Sequence, residues 1–175
     1  MTIEERLKRF LGSSPQVDST AYVALGATLI GDVVLGPNSN VWPGCVLRAD
    51  INAIRIGEGT NIQDCAVVHI ADEYPTILGD YVTVGHSAVV HACTIEDEVL
   101  VGMHATILDG AVIGKGSIIG AHTLVKAGMK VPAGSLVLGI PGVVVRPLRE
   151  SERQANRTLA EKYICVAAAH RENEC

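Results

Sequence analysis

The chain has 175 residues, the length of a single domain, and 48% of them are apolar although only 3% are aromatic. A core built from these residues must therefore consist of valine, isoleucine, leucine and alanine. The net charge of −5 comes without a run of basic residues, and this pattern argues against nucleic acid as a partner.

The N-terminal segment MTIEERLKRF alternates in charge and contains no continuous apolar stretch. It is therefore neither a signal peptide nor a membrane anchor, and we expect residues 1–16 to cap one end of the fold. The chain also has an odd number of cysteines and no C-x-x-C pair, which favours reduced thiols in the cytoplasm. The cysteines are Cys45, Cys65, Cys93, Cys165 and Cys175.

Aliphatic residues recur every six positions over residues 17–146, and a fixed period of this kind indicates a repeat fold. The repeat is broken only by short insertions, one of them at residues 70–77. The first series is Val23, Leu29, Leu35, Val41 and Leu47, which is followed by Ile56, Ile62 and Val68. Leu78, Val84 and Val90 come next, and the longest series then runs through Ile95, Val101, Ile107, Ile113, Ile119, Val125, Val131, Val137 and Val143.

A six-residue unit is too short for a helical repeat, and its β-branched residues with glycine or asparagine at the corners suit a short strand and a bend. Three units close one coil, so residues about eighteen apart stack on one face at the inter-strand distance of ~4.7–4.9 Å. The sequence therefore predicts an all-β solenoid, a parallel β-helix with a solid aliphatic interior. Its [Ile/Leu/Val]-Gly hexapeptides resemble those of the left-handed β-helix family, and the resemblance implies the left hand.

After Pro147 the six-residue period gives way to helical spacing. We expect residues 147–175 to form a C-terminal capping α-helix that lies along the solenoid and covers one apolar face. The residues that helical spacing places on one stripe are Ala155, Leu159, Tyr163, Val166, Ala167 and His170.

Three histidines acquire positions from this repeat. His69 and His91 each follow an aliphatic position, Val68 and Val90, and these two positions are three units apart, so the two rings should stack on one face. His86 falls on a different face, so the three rings should not converge within one subunit. We predict that threefold symmetry brings them together between the subunits of a homotrimer.

Three neutral imidazoles with one vacant position form the ligand set of catalytic zinc. Zinc lowers the pKa of its bound water from ~15.7 to ~7 and so creates a nucleophile at neutral pH. Carbon dioxide is the simplest small electrophile for such a hydroxide, because it needs neither a leaving group nor a large pocket. The sequence thus predicts a metal-dependent lyase that hydrates carbon dioxide reversibly to bicarbonate.

The same counting places Arg48 and Asp64 opposite each other across the seam between subunits, where an ion pair would fix the register of the trimer. Other candidate ligands have simpler interpretations. His104 and His122 should stack on the face that carries His86, as seam or surface residues. Cys93 is interpreted as a small residue that fills a tight coil, and His170 as a surface residue of the helix.

Four short motifs resemble the gamma-class carbonic anhydrases and their bacterial relatives with a short loop, some of which are called ferripyochelin-binding proteins. The motifs are Leu47-Arg48-Ala49-Asp50, Asn61-Ile62-Gln63-Asp64, Val68-His69, and Val84-Gly85-His86 with His91 five residues further on. The resemblance covers the hexapeptide region, and its motifs include the three histidines whose positions the repeat predicts.

The resemblance implies a role for each matching residue. His69, His86 and His91 would be the metal ligands, and Arg48 with Asp64 the intersubunit ion pair. Gln63 would orient the metal-bound water or bicarbonate, Asp50 would support Arg48 and the site, and Tyr163 would reach towards the bound water. The resemblance implies Zn²⁺ as the metal, with Fe²⁺ or Co²⁺ as alternatives that three imidazoles do not distinguish.

Two positions depart from the best-studied branch of that family. It has a glutamate directly after the aspartate that corresponds to Asp50, where this chain has Ile51. It also has a longer acidic loop with a glutamate that shuttles protons, where this chain has only Asp72 and Glu73. We therefore expect Asp72, Glu73 or the buffer to carry protons away from the site.

Two other classes of function use the same fold. A hexapeptide acyltransferase would use a histidine as the general base towards acyl-CoA and an acceptor, and a thioesterase would be its near relative. That interpretation gives no reason for two stacked histidines with a third turned towards a neighbour. The remaining alternative is a metal-binding trimer with little catalysis.

Overall fold

A computed structural model describes residues 1–173 and shows a left-handed parallel β-helix of about 7 turns followed by a C-terminal helix. The fold class predicted from the hexapeptide period is confirmed. Cys175 lies outside the described residues, and Cys45, Cys65, Cys93 and Cys165 are free thiols. The cytoplasmic location that the cysteines favour stays a prediction.

Each coil of the solenoid has three faces. The first, which we call the helix face, is a parallel sheet that ends in one antiparallel strand. It contains β2 (Tyr22–Val23), β4 (Asn40–Val41), β6 (Asn61–Ile62), β9 (Thr83–Val84), β12 (Leu100–Val101), β15 (Ile118–Ile119), β18 (Ser135–Leu138) and β19 (Val143–Pro147).

The other two faces form one continuous sheet, because the long strands β3 (Thr28–Leu35) and β5 (Val46–Ile56) bend from one face to the next. The histidine face contains the first halves of β3 and β5, with β7 (Val67–His69), β10 (Val89–His91), β13 (Thr106–Ile107) and β16 (Leu124–Val125). The third face contains β1 (Gln16–Val17), the second halves of β3 and β5, and β8 (Thr76–Leu78), β11 (Thr94–Ile95), β14 (Val112–Ile113) and β17 (Lys130–Val131).

The core is the stack of aliphatic residues predicted from the repeat. From Leu35 to Val137 every residue of the six-step series is buried, and none is more than 4% exposed. Burial of each such side chain contributes about 1.5–3 kcal/mol to folding. The prediction that Val143 is the last member of the series is wrong, because this residue is 58% exposed. A turn after β18 reverses the chain, and β19 returns antiparallel along the sheet edge, so the coil is not continued.

Two helices flank the solenoid. Helix α1 (Ile3–Phe10) packs against β5 and buries Phe10. Helix α2 (Glu150–Asn173) lies along the helix face against β2, β4, β6 and β9. No helix within residues 1–173 is long and apolar enough to cross a membrane.

The buried side of α2 differs in part from the predicted stripe. Asn156, Ala160 and Ala167 are buried, and Tyr163 and Val166 are partly buried. The predicted Ala155 and His170 are exposed. The difference arises because Asn156 donates a hydrogen bond of 3.0 Å to the carbonyl of Glu98 at a corner of the solenoid. A polar side chain therefore occupies the stripe that an apolar pattern assigns to its neighbour.

Candidate metal centre

His69 and His91 stack on the histidine face, as the repeat predicts. Strands β7 and β10 are parallel neighbours in which His91 pairs directly with His69. The ring centroids are 5.0 Å apart, and Nδ1 of His69 lies 3.0 Å from Nε2 of His91. Two ring nitrogens therefore converge on one point at the edge of the face.

A carboxylate lies beside each of these two rings. Oδ1 of Asp109 lies 2.6 Å from Nδ1 of His91, so this nitrogen carries a proton and Nε2 presents its lone pair to His69. Oδ1 of Asp50 lies 3.6 Å from Nε2 of His69. Such carboxylate–histidine pairs commonly fix the orientation of metal-binding imidazoles.

Charge and burial keep this cluster in the states that a metal requires. Burial lowers the pKa of His69, and the nearby Arg48 and His91 lower it further, so the ring is neutral at pH 7. Burial opposes ionisation of Asp50, but the hydrogen bond and charge of Arg48 outweigh it, and the pKa of Asp50 is lowered.

Two unpaired polar atoms indicate that the two rings can hold a divalent cation. Nε2 of His69 and Oδ1 of Asp50 are buried, and neither has a hydrogen-bond partner within residues 1–173. If His69 donates Nδ1–H to His91, its Nε2 lone pair faces the carboxylate, which is unfavourable. If Nε2 carries the proton instead, two lone pairs face each other at 3.0 Å. A cation between the rings satisfies both nitrogens and frees Nε2–H for Asp50.

His86 lies at the opposite edge of the histidine face, in the bend between β9 and β10. Its Nδ1 is 2.9 Å from Oδ2 of Asp64, and both side chains are about half exposed. Within the described part of one chain, no three histidine, cysteine, aspartate or glutamate side chains converge to hold a metal ion. A three-histidine site therefore requires His86 from another copy of the chain.

The other predicted site residues fall into two groups. Arg48 is paired with Asp50 beside the histidine pair. Asp64 contacts His86 at the opposite edge of the face. The intersubunit ion pair between Arg48 and Asp64 stays a prediction, because a single chain cannot form it. Tyr163 of α2 lines the same pocket as His86, and burial together with the charge of Asp64 raises the pKa of its phenol.

Gln63 is held in one orientation by a short hydrogen-bond chain. Asn61 donates to Oγ1 of Thr83 at 2.8 Å, and its own amide oxygen accepts from Nε2 of Gln63 at 3.1 Å. Gln63 is only 5% exposed and lines the pocket beside His86. Its amide oxygen is therefore the atom that the chain leaves for a ligand.

The remaining candidate ligands lie away from the centre. The rings of His104 and His122 are parallel at 4.9 Å, as predicted, on residues with left-handed backbone at two corners. His170 packs edge-on against Trp42 under α2. Burial raises the pKa of the Cys93 thiol to about 12, so it stays protonated and fills the coil.

Asp109 is the residue of this site that the sequence analysis did not include. The signal was present, because Asp109 follows His91 by eighteen residues, one full coil. An acidic side chain at that spacing must lie beside the histidine in the next coil. The contact between Asp64 and His86 was likewise not expected, since Asp64 was assigned to Arg48.

Comparisons with known proteins agree on the hexapeptide-repeat fold and find carbonic anhydrases among the relatives. A family model described as bacterial transferase hexapeptide (six repeats) matches residues 92–127. "Gamma carbonic anhydrase 2, mitochondrial" from Arabidopsis thaliana is 44% identical over 180 residues, which cover 96% of this chain and 65% of the plant protein. "Probable carbonic anhydrase" from Methanocaldococcus jannaschii is 53% identical over 148 residues, covering 85% of this chain and 93% of that protein.

A solved structure has the same fold. The hexapeptide transferase family protein from Anaplasma phagocytophilum has a TM-score of 0.87 and 43% identity, and the match covers 90% of this chain and 93% of that one. Against the plant relative, by contrast, this chain spans just under two thirds of the length.

Proposed function

The chain belongs to the gamma-class carbonic anhydrase family, and from that membership we propose that it catalyses the reversible hydration of carbon dioxide to bicarbonate. The proposed site lies at the interfaces of a homotrimer. His69 and His91 come from one subunit and His86 from its neighbour. The observation that carries the proposal is the convergence of two ring nitrogens at 3.0 Å, each ring beside a carboxylate.

The exposed surface of the histidine face supports contact with a neighbour. Helix α2 lies on the helix face and leaves this face open, and the outward-pointing residues here include Val46, Val67 and Val89, of which Val67 is 37% exposed. An apolar stripe of this kind marks a contact surface. Threefold packing of this face sets the edge with His86 against the edge with the histidine pair, and Arg48 against Asp64 of the neighbour.

The proposed metal is Zn²⁺, with Fe²⁺ or Co²⁺ as alternatives. A divalent ion bound by three imidazoles lowers the pKa of coordinated water and so supplies a nucleophile near neutral pH. The chain holds its own groups ready for that chemistry. Asp109 keeps His91 in one tautomer, and Asp50 with Arg48 places a fixed negative charge beside His69.

The substrate is oriented by groups on the helix face. The amide of Gln63, fixed through Asn61, offers its oxygen to the hydroxyl of bicarbonate. Tyr163, whose raised pKa keeps its phenol protonated, donates a hydrogen bond into the same cleft. Both residues line the pocket that contains His86, so substrate reaches them on that side.

Each hydration releases one proton, which must leave the site. Ile51 occupies the position that is a glutamate in the best-studied branch of the family, and it packs partly against the core. Asp72 and Glu73 are the exposed acidic groups of the neighbouring loop, and Asn52 anchors that loop through the carbonyls of residues 71 and 72. We assign proton export to these two carboxylates, assisted by buffer.

Initial rates of carbon dioxide hydration test the proposal directly. Protein purified without added metal should contain about one metal per chain and accelerate hydration, and a chelator should remove both the metal and the activity. Activity that survives complete removal of metal would contradict the proposal. A metal-loaded protein without hydration would leave the metal-binding trimer as its function.

A second candidate function is transfer or hydrolysis of an acyl group from acyl-CoA. It is favoured by the transferase description of the matching family model and by the similar structure of a hexapeptide transferase family protein. Turnover of acyl-CoA with and without acceptor amines separates it from hydration. Release of free coenzyme A in place of hydration would make this second candidate the function.

A further inference from the structure

A pocket of about 300 Å³ lies between helix α2 and the helix face, beside His86. Carbon dioxide and bicarbonate need only a small part of this volume, which is in the range of pockets for small organic ligands. The pocket is therefore larger than the proposed reaction requires. Its polar lining residues are Gln63, Thr83, His86 and Tyr163, and its large apolar ones include Leu100, Met103 and Leu159.

The register of the coils separates the polar and apolar linings. Gln63 donates its backbone N–H to the coil that carries His86, so these two residues occupy adjacent coils at the lower end. Leu100 is one coil above Thr83, and Met103 lies directly above His86. The apolar residues thus extend upwards from the polar group by one to two coils, about 5–10 Å.

The pocket residues on helix α2 also change from polar at the lower end to apolar at the upper end. It runs down the solenoid, because Asn156 contacts the carbonyl of Glu98 while Arg171 contacts the carbonyl of Thr20 in the first coil. Leu159 therefore faces the upper part of the pocket, and Tyr163, one helical turn later, faces the lower part. Both walls of the pocket change from polar to apolar in the same direction.

Closely packed backbone forms the floor of the pocket, and a leucine side chain limits it above. A Cβ on Gly102 would stand 2.5 Å from the backbone nitrogen of Ala121, so adjacent coils leave no space for a side chain there. One coil higher, Leu138 lies so close to Gly120 that a Cβ on Gly120 would stand 2.3 Å from Leu138 Cδ2. The apolar space below this limit is about one to two coil spacings long, which is enough for a straight chain of about four to five carbons.

We propose that this pocket binds the alkyl chain of a short unbranched monocarboxylate of four to five carbons. Its carboxylate occupies the place of bicarbonate at the metal site and beside Gln63, and its chain lies against Leu100, Met103 and Leu159. The proposal rests on the function proposed above, because the carboxylate needs the same metal site. The proposal predicts that such acids compete with bicarbonate for the site and bind more tightly than formate.

Calorimetric titration of the zinc-reconstituted protein with formate, acetate, propionate, butyrate, valerate and hexanoate tests this pocket without measuring activity. Affinity should rise about threefold to fourfold per methylene up to butyrate or valerate, since each methylene leaves water for an apolar wall. Hexanoate should gain nothing more. Equal affinity across the series, or no binding of any acid to the metal-loaded protein, overturns the proposal.

Variants locate the chain-binding wall. Leu159→Trp should fill the upper pocket and remove the dependence on chain length, and Ala121→Leu should do the same with a smaller change. Ile77→Trp is the matched control, because Ile77 is 40% exposed on the third face, and it should keep the full dependence. A series that Ile77→Trp changes as much as Leu159→Trp does would overturn the assigned location.

The outcomes also separate this inference from the function on which it rests. If the zinc-loaded protein shows the rise with chain length but hydrates no carbon dioxide, the pocket stands and the hydratase proposal fails. If it hydrates carbon dioxide while all acids bind equally, only the pocket proposal fails.

Discussion

Asp109 stands one coil above His91 and places Oδ1 2.6 Å from Nδ1 of that ring. The carboxylate fixes the tautomer in which Nε2 is free to bind a metal, so Asp109 is a positioning residue of the proposed site. Asp109→Asn should weaken metal binding about 10–100-fold, because an amide neither fixes the tautomer nor raises the basicity of the ring. Competition with a chelator of known affinity measures the change.

Asp97→Asn is the control for that experiment. Asp97 is exposed to a similar extent, 44% against 42% for the Asp109 side chain, but it pairs with Lys115 at a different corner. It should keep the metal affinity of the unaltered protein. Equal loss in both variants would mean that a general loss of negative charge, and not the contact with His91, controls the affinity.

The proposed sharing of one metal site by two subunits predicts that metal binding recovers when two variants are mixed. His86→Ala and His91→Ala homotrimers should each lose their metal, because every site lacks one ligand. A randomly mixed trimer of the two contains one complete site, in which the histidine pair of one variant meets His86 of the other. At equal proportions about a quarter of the metal content should return, and elemental analysis of the refolded mixture measures it.

The mixing experiment has a direct contradiction. If all three ligands belonged to one subunit, each variant chain would be defective by itself and mixing would restore no metal. Native mass spectrometry of the mixture shows that mixed trimers have formed, which makes a negative result decisive. A mixture of His91→Ala with His69→Ala chains is the matched control, because both lack a member of the same pair.

The positions of the histidines could be predicted from the sequence because a solenoid is nearly one-dimensional. Six residues per side set the coil on which each residue lies, so the pairing of His69 with His91 followed from the two aliphatic residues that precede them. The same counting placed Arg48 directly below His69. The insertion did not disturb it, because only the turn at residues 71–75 bulges out, between buried Ile70 and strand β8.

The sequence predicted less where the repeat does not set the position. The series was extended to Val143, but the chain reverses after β18 and leaves that residue exposed. On α2, Asn156 replaces an apolar residue because its amide meets carbonyls at the corners of two coils. The partner of His86 depends on rotamers at the bend, and counting residues does not determine them.

Arg48→Ala should weaken the trimer more than it weakens the coil stack. In the proposed assembly Arg48 pairs with Asp64 of the neighbour, and its removal leaves that carboxylate unpaired at the interface. Arg55→Ala is the control, since Arg55 has similar exposure and pairs with Asp32 on the third face, at 2.9 Å. Sedimentation over a range of concentrations measures the dissociation midpoint. An unchanged midpoint for Arg48→Ala contradicts the intersubunit pair.

Proton export predicts a dependence on buffer. If Asp72 and Glu73 carry protons away, the double variant Asp72→Asn, Glu73→Gln should reduce the maximal hydration rate in dilute buffer and recover in concentrated buffer. Glu161→Gln on the exposed side of α2 is the control and should behave like the unaltered protein at both concentrations. A double variant that is equally active in dilute buffer shows that these carboxylates do not relay the proton.

Asn156 should stabilise the contact between α2 and the solenoid. It is 2% exposed, and its amide donates to the carbonyls of Glu98 and Ser117 on adjacent coils. Asn156→Leu removes the donor and leaves buried carbonyls without it, so the free energy of unfolding should fall by about 1–3 kcal/mol. Gln154→Leu, at an exposed position two residues earlier whose side chain donates a hydrogen bond to Glu150, should change it little. Denaturant titration of both variants measures the two free energies of unfolding. If Asn156→Leu is as stable as Gln154→Leu, α2 is held by its apolar residues alone, and the polar contact only sets its register.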